Sequence, residues 1–103
     1  MNKTQFKLQD LYDKIVLRVK EAPEGTYTKK LLDNESLLKR KIVEEAAEVI
    51  TSTSKENLVW ECSDLLYFVF VLMAKSGVTI LDVEEENRRR DAGEAIDETK
   101  AKK

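Results

Sequence analysis

The chain contains no histidine, and this absence excludes several classes of active site. Histidine is the general base of Ser–His and Cys–His nucleophile systems and a frequent metal ligand. The sequence also has a single cysteine, Cys62, which cannot form an intramolecular disulfide and lies among acids that disfavour its thiolate. We therefore expect a cytoplasmic protein from a reducing compartment, with chemistry that uses neither imidazole nor thiol.

Residues that break helices are also scarce, with one proline and three glycines in 103 residues. Alanine, leucine, glutamate and lysine, which favour helices, are abundant. A chain of this length makes one domain. We predict an all-α domain over residues 1–90, followed by a charged, disordered tail over residues 91–103.

The lack of net positive charge and of long apolar segments limits the binding partners that we expect. The net charge of −2 provides no basic surface for neutralising phosphates, so nucleic acid is not expected as a partner. The longest apolar run, Leu65–Ala74, is about half the ~20 residues that a membrane-spanning helix needs. Residues 1–10 lack the apolar segment of a signal peptide. We therefore expect no membrane partner.

Apolar residues at three- and four-residue spacing predict four long helices and one short helix. Pro23 and Gly25 interrupt the pattern, Ser54 and Thr79 are suited to cap helix N-termini, and Gly77 is suited to end a helix. The predicted ranges are about 4–21, 29–32, 34 or 36–52, 54–75 and 79–90.

The helix predicted over 54–75 is unusual because its second half, LLYFVFVLMA from Leu65, has no polar stripe. A helix that is apolar all round must be covered on nearly all sides. Three companion helices in so short a chain can hardly do this. We therefore predict a homodimer with this helix at the subunit interface, and interpret Trp60 and Tyr67 as core or interface residues.

Acidic residues cluster on two neighbouring helices. At about 100° per residue, Glu44, Glu45 and Glu48 share one helix face with Lys41 in its middle. Such a cluster can be a solvated face of an alanine-rich helix. However, a second acidic pair, Glu61-Cys-Ser-Asp64, opens the most apolar helix, where an unpaired charge is costly.

The segment between the two clusters is short enough for an antiparallel hairpin that brings them face to face. Facing carboxylates suit hard cations such as Mg²⁺, with Mn²⁺ as a possible substitute. Mg²⁺ usually keeps several waters and is completed by substrate phosphates. The pattern therefore favours a divalent-metal site that acts on phosphates.

Three segments strongly resemble the phosphoribosyl-ATP pyrophosphohydrolase family: GTYTKKLL (25–32), KIVEEAAEV (41–49) and WECSDLLYFVFVLMAKSGVTILDV (60–83). The resemblance extends from about Leu8 to Arg90. The chain is also similar, more loosely, to MazG-like nucleotide pyrophosphohydrolases, whose E-x-x-E and E-x-x-D signature falls on residues 45–48 and 61–64. Many relatives carry histidine where this chain has Phe68, so no role of that histidine can be transferred.

The resemblance implies a four-to-five-helix MazG-like bundle, a homodimer and Mg²⁺-dependent hydrolysis of phosphoribosyl-ATP to phosphoribosyl-AMP and pyrophosphate, the second step of histidine biosynthesis. Relatives also occur fused to other histidine-pathway enzymes. The metal ligands implied by the signature are Glu45, Glu48, Glu61 and Asp64.

Other residues are candidates for further roles in this reaction. Glu44 becomes the candidate general base, unless the metal-bound water itself loses the proton. Lys41 is a candidate phosphate contact, and equally a candidate salt-bridge partner of Glu44 or Glu45. The candidate substrate or phosphate contacts are Tyr27, Thr28, Lys29, Lys30 and Arg88. Tyr27 could instead pack on the first helix, and the arginines 88–90 could instead favour the C-terminus of their helix.

Two alternatives to this function stay open. The same acidic set would serve a general house-cleaning nucleoside-triphosphate pyrophosphohydrolase, which only the EGTYT loop and the flanking segments disfavour. A non-catalytic helical dimerisation module would explain the apolar helix, but it leaves Glu61 and Asp64 without a purpose.

Overall fold

The computed structural model describes residues 5–94 and consists of five α-helices with a short π-helical turn at the end. No strand occurs within this described part of the chain. The helices are α1 (Leu8–Glu21), α2 (Tyr27–Asp33), α3 (Glu35–Ile50), α4 (Lys55–Ser76) and α5 (Ile80–Arg89), and the π-helical turn is Arg90–Glu94. The predicted all-α class is confirmed.

Side-chain caps start four of the helices. The side chains of Thr26, Asn34, Ser54 and Thr79 each accept a hydrogen bond from a backbone N–H in the first turn of the helix that follows. Gly77, with a φ of 76°, ends α4 in the left-handed conformation that glycine adopts without steric cost. The sequence predicted the caps at Ser54 and Thr79 and the stop at Gly77.

The core lies where α1 and α3 pack against the second half of α4, and α2 packs against α1 and α3. Tyr12 of α1 packs edge-to-face against Phe70 of α4, with ring centroids 5.8 Å apart. The Tyr12 hydroxyl donates a 2.7 Å hydrogen bond to the Val78 carbonyl and so ties α1 to the loop before α5. The fully buried side chains are Ile15, Leu31, Leu38 and Val71.

Helices α3 and α4 form the antiparallel hairpin that the sequence predicted. Lys75, near the end of α4, lies 2.7 Å from Glu35 in the first turn of α3, although the two are 40 residues apart. At the other end, the Thr51 hydroxyl donates to the Ala47 carbonyl at 2.9 Å and helps to end α3 before the turn into α4. The hairpin sets the register in which the acidic residues of the two helices face each other.

One predicted boundary, the start of the first helix, was wrong, and the predicted tail lies partly outside the described residues. Helix α1 begins at Leu8, because the Lys7 N–H donates to the Asp10 carboxylate at 2.8 Å and residues 5–7 are not helical. The π-helical turn reaches Glu94, but Gly93 within it has a non-helical φ of 92°, so the boundary of the predicted tail stays a prediction. The rest of the predicted tail, 95–103, lies outside the described residues.

Helix α4 is incompletely covered by the chain itself. Only Phe70 and Val71 of α4 are buried, and Trp60 is 69% exposed, so of its two predicted places, core or interface, only the interface stays a prediction. By length and composition alone this helix could span a membrane, since it has a stretch of 18 residues with a mean hydropathy of 1.4, of which 11% is buried. A single helix of this kind does not mark a membrane protein, and the carboxylates Glu61 and Asp64 lie within α4.

Candidate metal centre

Three carboxylates converge between α3 and α4. Glu45 comes from α3, while Glu61 and Asp64 come from successive turns of α4, and one carboxylate oxygen from each lies within 4.8 Å of the other two. All three side chains are half-buried, at the margin of the core. We call these three residues the carboxylate cluster. The convergence predicted from the two acidic segments is present in the fold.

The cluster suits a hard divalent cation in both chemistry and spacing. Two oxygens bound to one Mg²⁺ at about 2.1 Å are roughly 3–4 Å apart. Oxygens within 4.8 Å therefore need only small side-chain adjustments to share an ion. The donor set consists entirely of carboxylate oxygens, which Mg²⁺ and Mn²⁺ prefer to nitrogen or sulfur ligands.

The electrostatics of the cluster favour a bound cation. Burial raises the pKa of Glu45 above its ordinary value, and the negative charge of Asp64 raises it further. The ammonium of Lys41 opposes this rise, whereas Glu61 and Glu48 add to it. A divalent cation among the carboxylates would remove the repulsion that this pKa reflects.

Lys41 forms an ion pair with Glu45. Its Nζ lies 3.1 Å from Glu44 Oε1 and 3.9 Å from Glu45 Oε2, and 5.6 Å from the centroid of the Phe68 ring. The hydrogen bond to Glu44 is the main reason why the pKa of Lys41 is raised, against the opposing effect of partial burial. The predicted salt bridge is therefore present, and the phosphate contact of Lys41 stays a prediction.

The other two predicted acids of α3 lie outside the convergence. Glu44 is 62% exposed and accepts the hydrogen bond from Lys41. Glu48 is exposed and is not among the residues whose oxygens lie within 4.8 Å, although its charge contributes to the raised pKa of Glu45. Its role as a fourth ligand stays a prediction, as does the role of Glu44 as a base.

Asn57 lies directly beside the cluster. Its side-chain Nδ2 donates a 3.3 Å hydrogen bond to Oε2 of Glu61, one helical turn further along α4. No acidic or basic pattern marks Asn57 as a site residue. The spacing of four between an amide and a carboxylate on one helix is the only sequence signal that could have indicated it.

The loop residues expected on the substrate side lie at the N-terminus of α2. Tyr27 is 51% exposed, and its phenol contributes to the raised pKa of Lys41. Lys29 forms ion pairs with Asp33 at 3.1 Å and Glu24 at 3.8 Å. An open cavity of about 460 Å³ here is lined by Glu24, Gly25, Thr26, Tyr27, Lys29, Lys30 and Asp33. Roles for these residues and for Thr28 stay predictions.

The arginines near the end of α5 pair with acids on the same helix. Arg88 lies 3.0 Å from Glu85, while Arg89 and Arg90 each lie 3.0 Å from Glu86. These pairs agree with the alternative in which the arginines support the end of their own helix. A phosphate contact of Arg88 across a dimer stays a prediction.

Comparison with known proteins finds a family model that covers most of the chain. The family described as "Phosphoribosyl-ATP pyrophosphohydrolase" matches residues 8–91. A "Phosphoribosyl-ATP pyrophosphatase" from Sulfurisphaera tokodaii is 45% identical over 81% of this chain and 93% of its own length. One from Dechloromonas aromatica is 42% identical over 88% of both chains.

A longer relative shares the same region. A "Histidine biosynthesis trifunctional protein" from Komagataella pastoris is 55% identical over 65% of this chain but over only 8% of its own length. The present chain thus corresponds to a small part of that relative. The domain therefore occurs both in short proteins and as a segment of a larger one.

Proposed function

Because the chain belongs to the phosphoribosyl-ATP pyrophosphohydrolase family, we propose that it hydrolyses phosphoribosyl-ATP to phosphoribosyl-AMP and pyrophosphate in a magnesium-dependent reaction. This is the second step of histidine biosynthesis, and we place it in the cytoplasm. The observation that carries the proposal is the convergence of Glu45, Glu61 and Asp64 between α3 and α4.

The cluster residues would hold the metal ion. Bound Mg²⁺ would neutralise triphosphate charge and lower the pKa of a water molecule. Glu45 and Asp64 come from opposite helices and Glu61 lies beside them, so the ion would be gripped across the hairpin. Glu48, one helical turn after Glu45, is the proposed additional ligand. Mn²⁺ has similar oxygen preferences and should substitute.

Lys41 and Glu44 flank the cluster and have the chemistry for the remaining steps. The raised pKa of Lys41 keeps its ammonium protonated, so it can stabilise charge on the departing pyrophosphate. Glu44 is exposed to solvent and can accept a proton from the attacking water. Its hydrogen bond to Lys41 orients the carboxylate at the rim of the site.

Space for a substrate adjoins the cluster. An open cavity of about 460 Å³ beside the first turns of α4 is lined by Ser54, Glu56, Asn57, Trp60 and Glu61. The cavity reaches Glu61 of the cluster, so a substrate with its phosphates at the metal could extend into it.

The proposed active form is a homodimer. Apolar residues along the first half of α4 are exposed in the single chain, with Leu58 41%, Val59 62% and Trp60 69% accessible. Exposed apolar surface of this kind typically marks an interaction site. A second copy of the chain packed against α4 would cover this apolar surface. Neither a membrane nor another protein would then be needed to cover it.

A pyrophosphate-release assay tests the activity. The protein is incubated with phosphoribosyl-ATP and Mg²⁺, with and without EDTA, and in parallel with deoxynucleoside triphosphates. We expect release from phosphoribosyl-ATP that EDTA abolishes. Release from deoxynucleoside triphosphates alone would instead support the house-cleaning activity, and no release from any substrate would support the non-catalytic dimerisation module.

A further inference from the structure

We infer that Asn57 is a positioning residue that holds Glu61 in its metal-binding orientation, an inference that rests on the proposed function of the carboxylate cluster. Asn57 is half-buried in the first turn of α4, one turn before Glu61. Its side chain spans the gap between the α3–α4 turn and the cluster. The inference depends on which atom of the amide faces which neighbour.

Both ends of the Asn57 amide are engaged. The Thr53 backbone N–H donates to Oδ1 at 3.4 Å, while Nδ2 donates to Glu61 Oε2 at 3.3 Å. A backbone N–H can only donate, so the oxygen must face Thr53 and the NH₂ group must face Glu61. Each of the two contacts by itself therefore determines the orientation of the Asn57 amide.

The backbone of Asn57 is restrained as well. Its N–H donates to the Ser54 hydroxyl at 3.0 Å, and this bond caps the N-terminus of α4. In a typical capping box, the residue at this position is Glu or Gln and its side chain reaches back to the capping residue. Here the Asn57 side chain accepts a hydrogen bond from Thr53 in the turn and donates one to the Glu61 carboxylate.

The contact with Glu61 has a specific electrostatic advantage. Three carboxylates whose oxygens lie within 4.8 Å repel one another when no cation is bound, and repulsion would rotate an unrestrained side chain towards solvent. Asn57 opposes this rotation with a neutral donor, which adds no positive charge to compete with a metal. A carboxylate can accept about four hydrogen bonds, so the bond from Asn57 leaves capacity for an ion.

Glu45 is held in a different way. The cation of Lys41 approaches it to 3.9 Å. Glu61 thus has a neutral partner on its own helix, and Glu45 has a charged one. Residues that hydrogen-bond to metal-binding side chains commonly change metal affinity or activity 10–100-fold when they are mutated.

The test measures Mn²⁺ affinity directly, by electron paramagnetic resonance of free Mn²⁺, so that it does not depend on turnover. Asn57→Leu keeps the approximate size of the side chain and removes both polar groups, while Asn57→Gln keeps the amide on a longer stem. We expect Asn57→Leu to raise the dissociation constant about 10–100-fold and Asn57→Gln to recover part of the loss.

A matched control and a double mutant separate positioning from general stability. Asn87→Leu changes an exposed asparagine of α5 and should bind Mn²⁺ like the wild type. In a Glu61→Ala background, Asn57→Leu should cause little further loss, because its effect acts through Glu61. Circular dichroism at the assay temperature verifies that each variant remains helical.

The kinetic signature of positioning is also distinct. In phosphoribosyl-ATP hydrolysis, Asn57→Leu should raise the Mg²⁺ concentration needed for half-maximal rate and leave kcat at saturating Mg²⁺ within a few-fold of the wild type. A variant that was merely less stable would lose rate at all Mg²⁺ concentrations in proportion to the unfolded fraction.

The possible outcomes are distinguishable. Folded Asn57→Leu protein with wild-type Mn²⁺ affinity would overturn the role of Asn57 and leave the metal centre standing. Asn57→Leu that weakens binding equally with and without Glu61 would also overturn it. Absence of Mn²⁺ binding by the wild-type protein would overturn the proposed metal centre itself, and the role of Asn57 with it.

Discussion

The ammonium of Lys41 on α3 lies 5.6 Å from the centroid of the Phe68 ring on α4. From this position it also reaches Glu44 and Glu45, at 3.1 and 3.9 Å. The negative face of an aromatic ring attracts a cation, so Phe68 helps to keep Lys41 at the edge of the carboxylate cluster. Phe68 supplies this attraction without a titrating group.

The first prediction concerns Lys41. Lys41→Gln should lower kcat about tenfold or more, because the charge that would stabilise the departing pyrophosphate is lost. Mn²⁺ affinity should stay the same or rise, because a cation that competes for Glu45 has been removed. Lys39→Gln is the control, since Lys39 pairs at 3.0 Å with Glu35 on the same helix. Wild-type kcat in Lys41→Gln would leave Lys41 with only a salt-bridge role.

Glu45→Gln should stabilise the metal-free protein and abolish the gain in stability from Mn²⁺. The raised pKa of Glu45 means that its ionisation costs stability at neutral pH. Removing the charge should therefore increase the free energy of unfolding by about 0.5 kcal/mol, as expected for relief of like-charge repulsion. Lys41 retains its bond to Glu44 in this variant. Urea unfolding with and without Mn²⁺ measures both effects, and a less stable metal-free variant would contradict the prediction.

Asp64→Asn and Glu48→Gln should differ in severity. Asp64 belongs to the convergent cluster, so its loss should reduce turnover by more than about 100-fold while helical circular dichroism is unchanged. Glu48 is exposed and outside the convergence, so we expect a smaller loss, about tenfold. The measurement is pyrophosphate release at saturating Mg²⁺. Equal losses would indicate that Glu48 is a full ligand.

Acid should weaken the link between the ends of α3 and α4. Hydrogen bonds from Lys75 and Lys39 lower the pKa of Glu35 from 4.5 to about 2. The unfolded chain therefore takes up a proton first as the pH falls, and the stability that Glu35 contributes is present above about pH 4.5 and lost towards pH 2.

The corresponding experiment compares Glu35→Gln with the wild type in urea unfolding at pH 7 and pH 3. The wild type should be more stable at pH 7, and the difference should shrink at pH 3. Glu84→Gln, on the exposed surface of α5, provides the control. A difference that is independent of pH would show that the ion pair does not carry the effect.

The dimer prediction concerns the exposed apolar surface of α4. Val59→Lys places a charge on a position that is 62% exposed in the single chain and should shift the protein from dimer to monomer, because burying an unpaired charge costs several kcal/mol. Light scattering at micromolar concentration measures the mass. Leu8→Lys, at the start of α1 and 54% exposed, should leave the dimer intact. A monomeric wild-type protein would contradict the prediction outright.

Much of the fold could be predicted because it depends on local rules. The caps Ser54 and Thr79 and the stop at Gly77 act within one helical turn of their own position, so the order of residues is enough to locate them. The start of α1 was harder to predict. It depends on the contact between Lys7 and Asp10, which competes with continued helix over the preceding residues.

The candidate site likewise has one part that the sequence predicts and another that depends on the tertiary structure. The amino-acid sequence by itself determined that two acidic segments lie on adjacent helices joined by a short turn, and periodicity placed the acids of each helix on one face. Which of those acids meet was decided only by the tertiary structure. Packing of buried residues such as Leu38 and Val71 sets the rotation of α3 against α4, and this rotation turns Glu45 towards Glu61 and Asp64 while Glu44 and Glu48 stay exposed. The bonds of Asn57 to Thr53 and Glu61 are local, since each spans four residues, but only the packing of α3 against α4 brings Glu61 to Glu45.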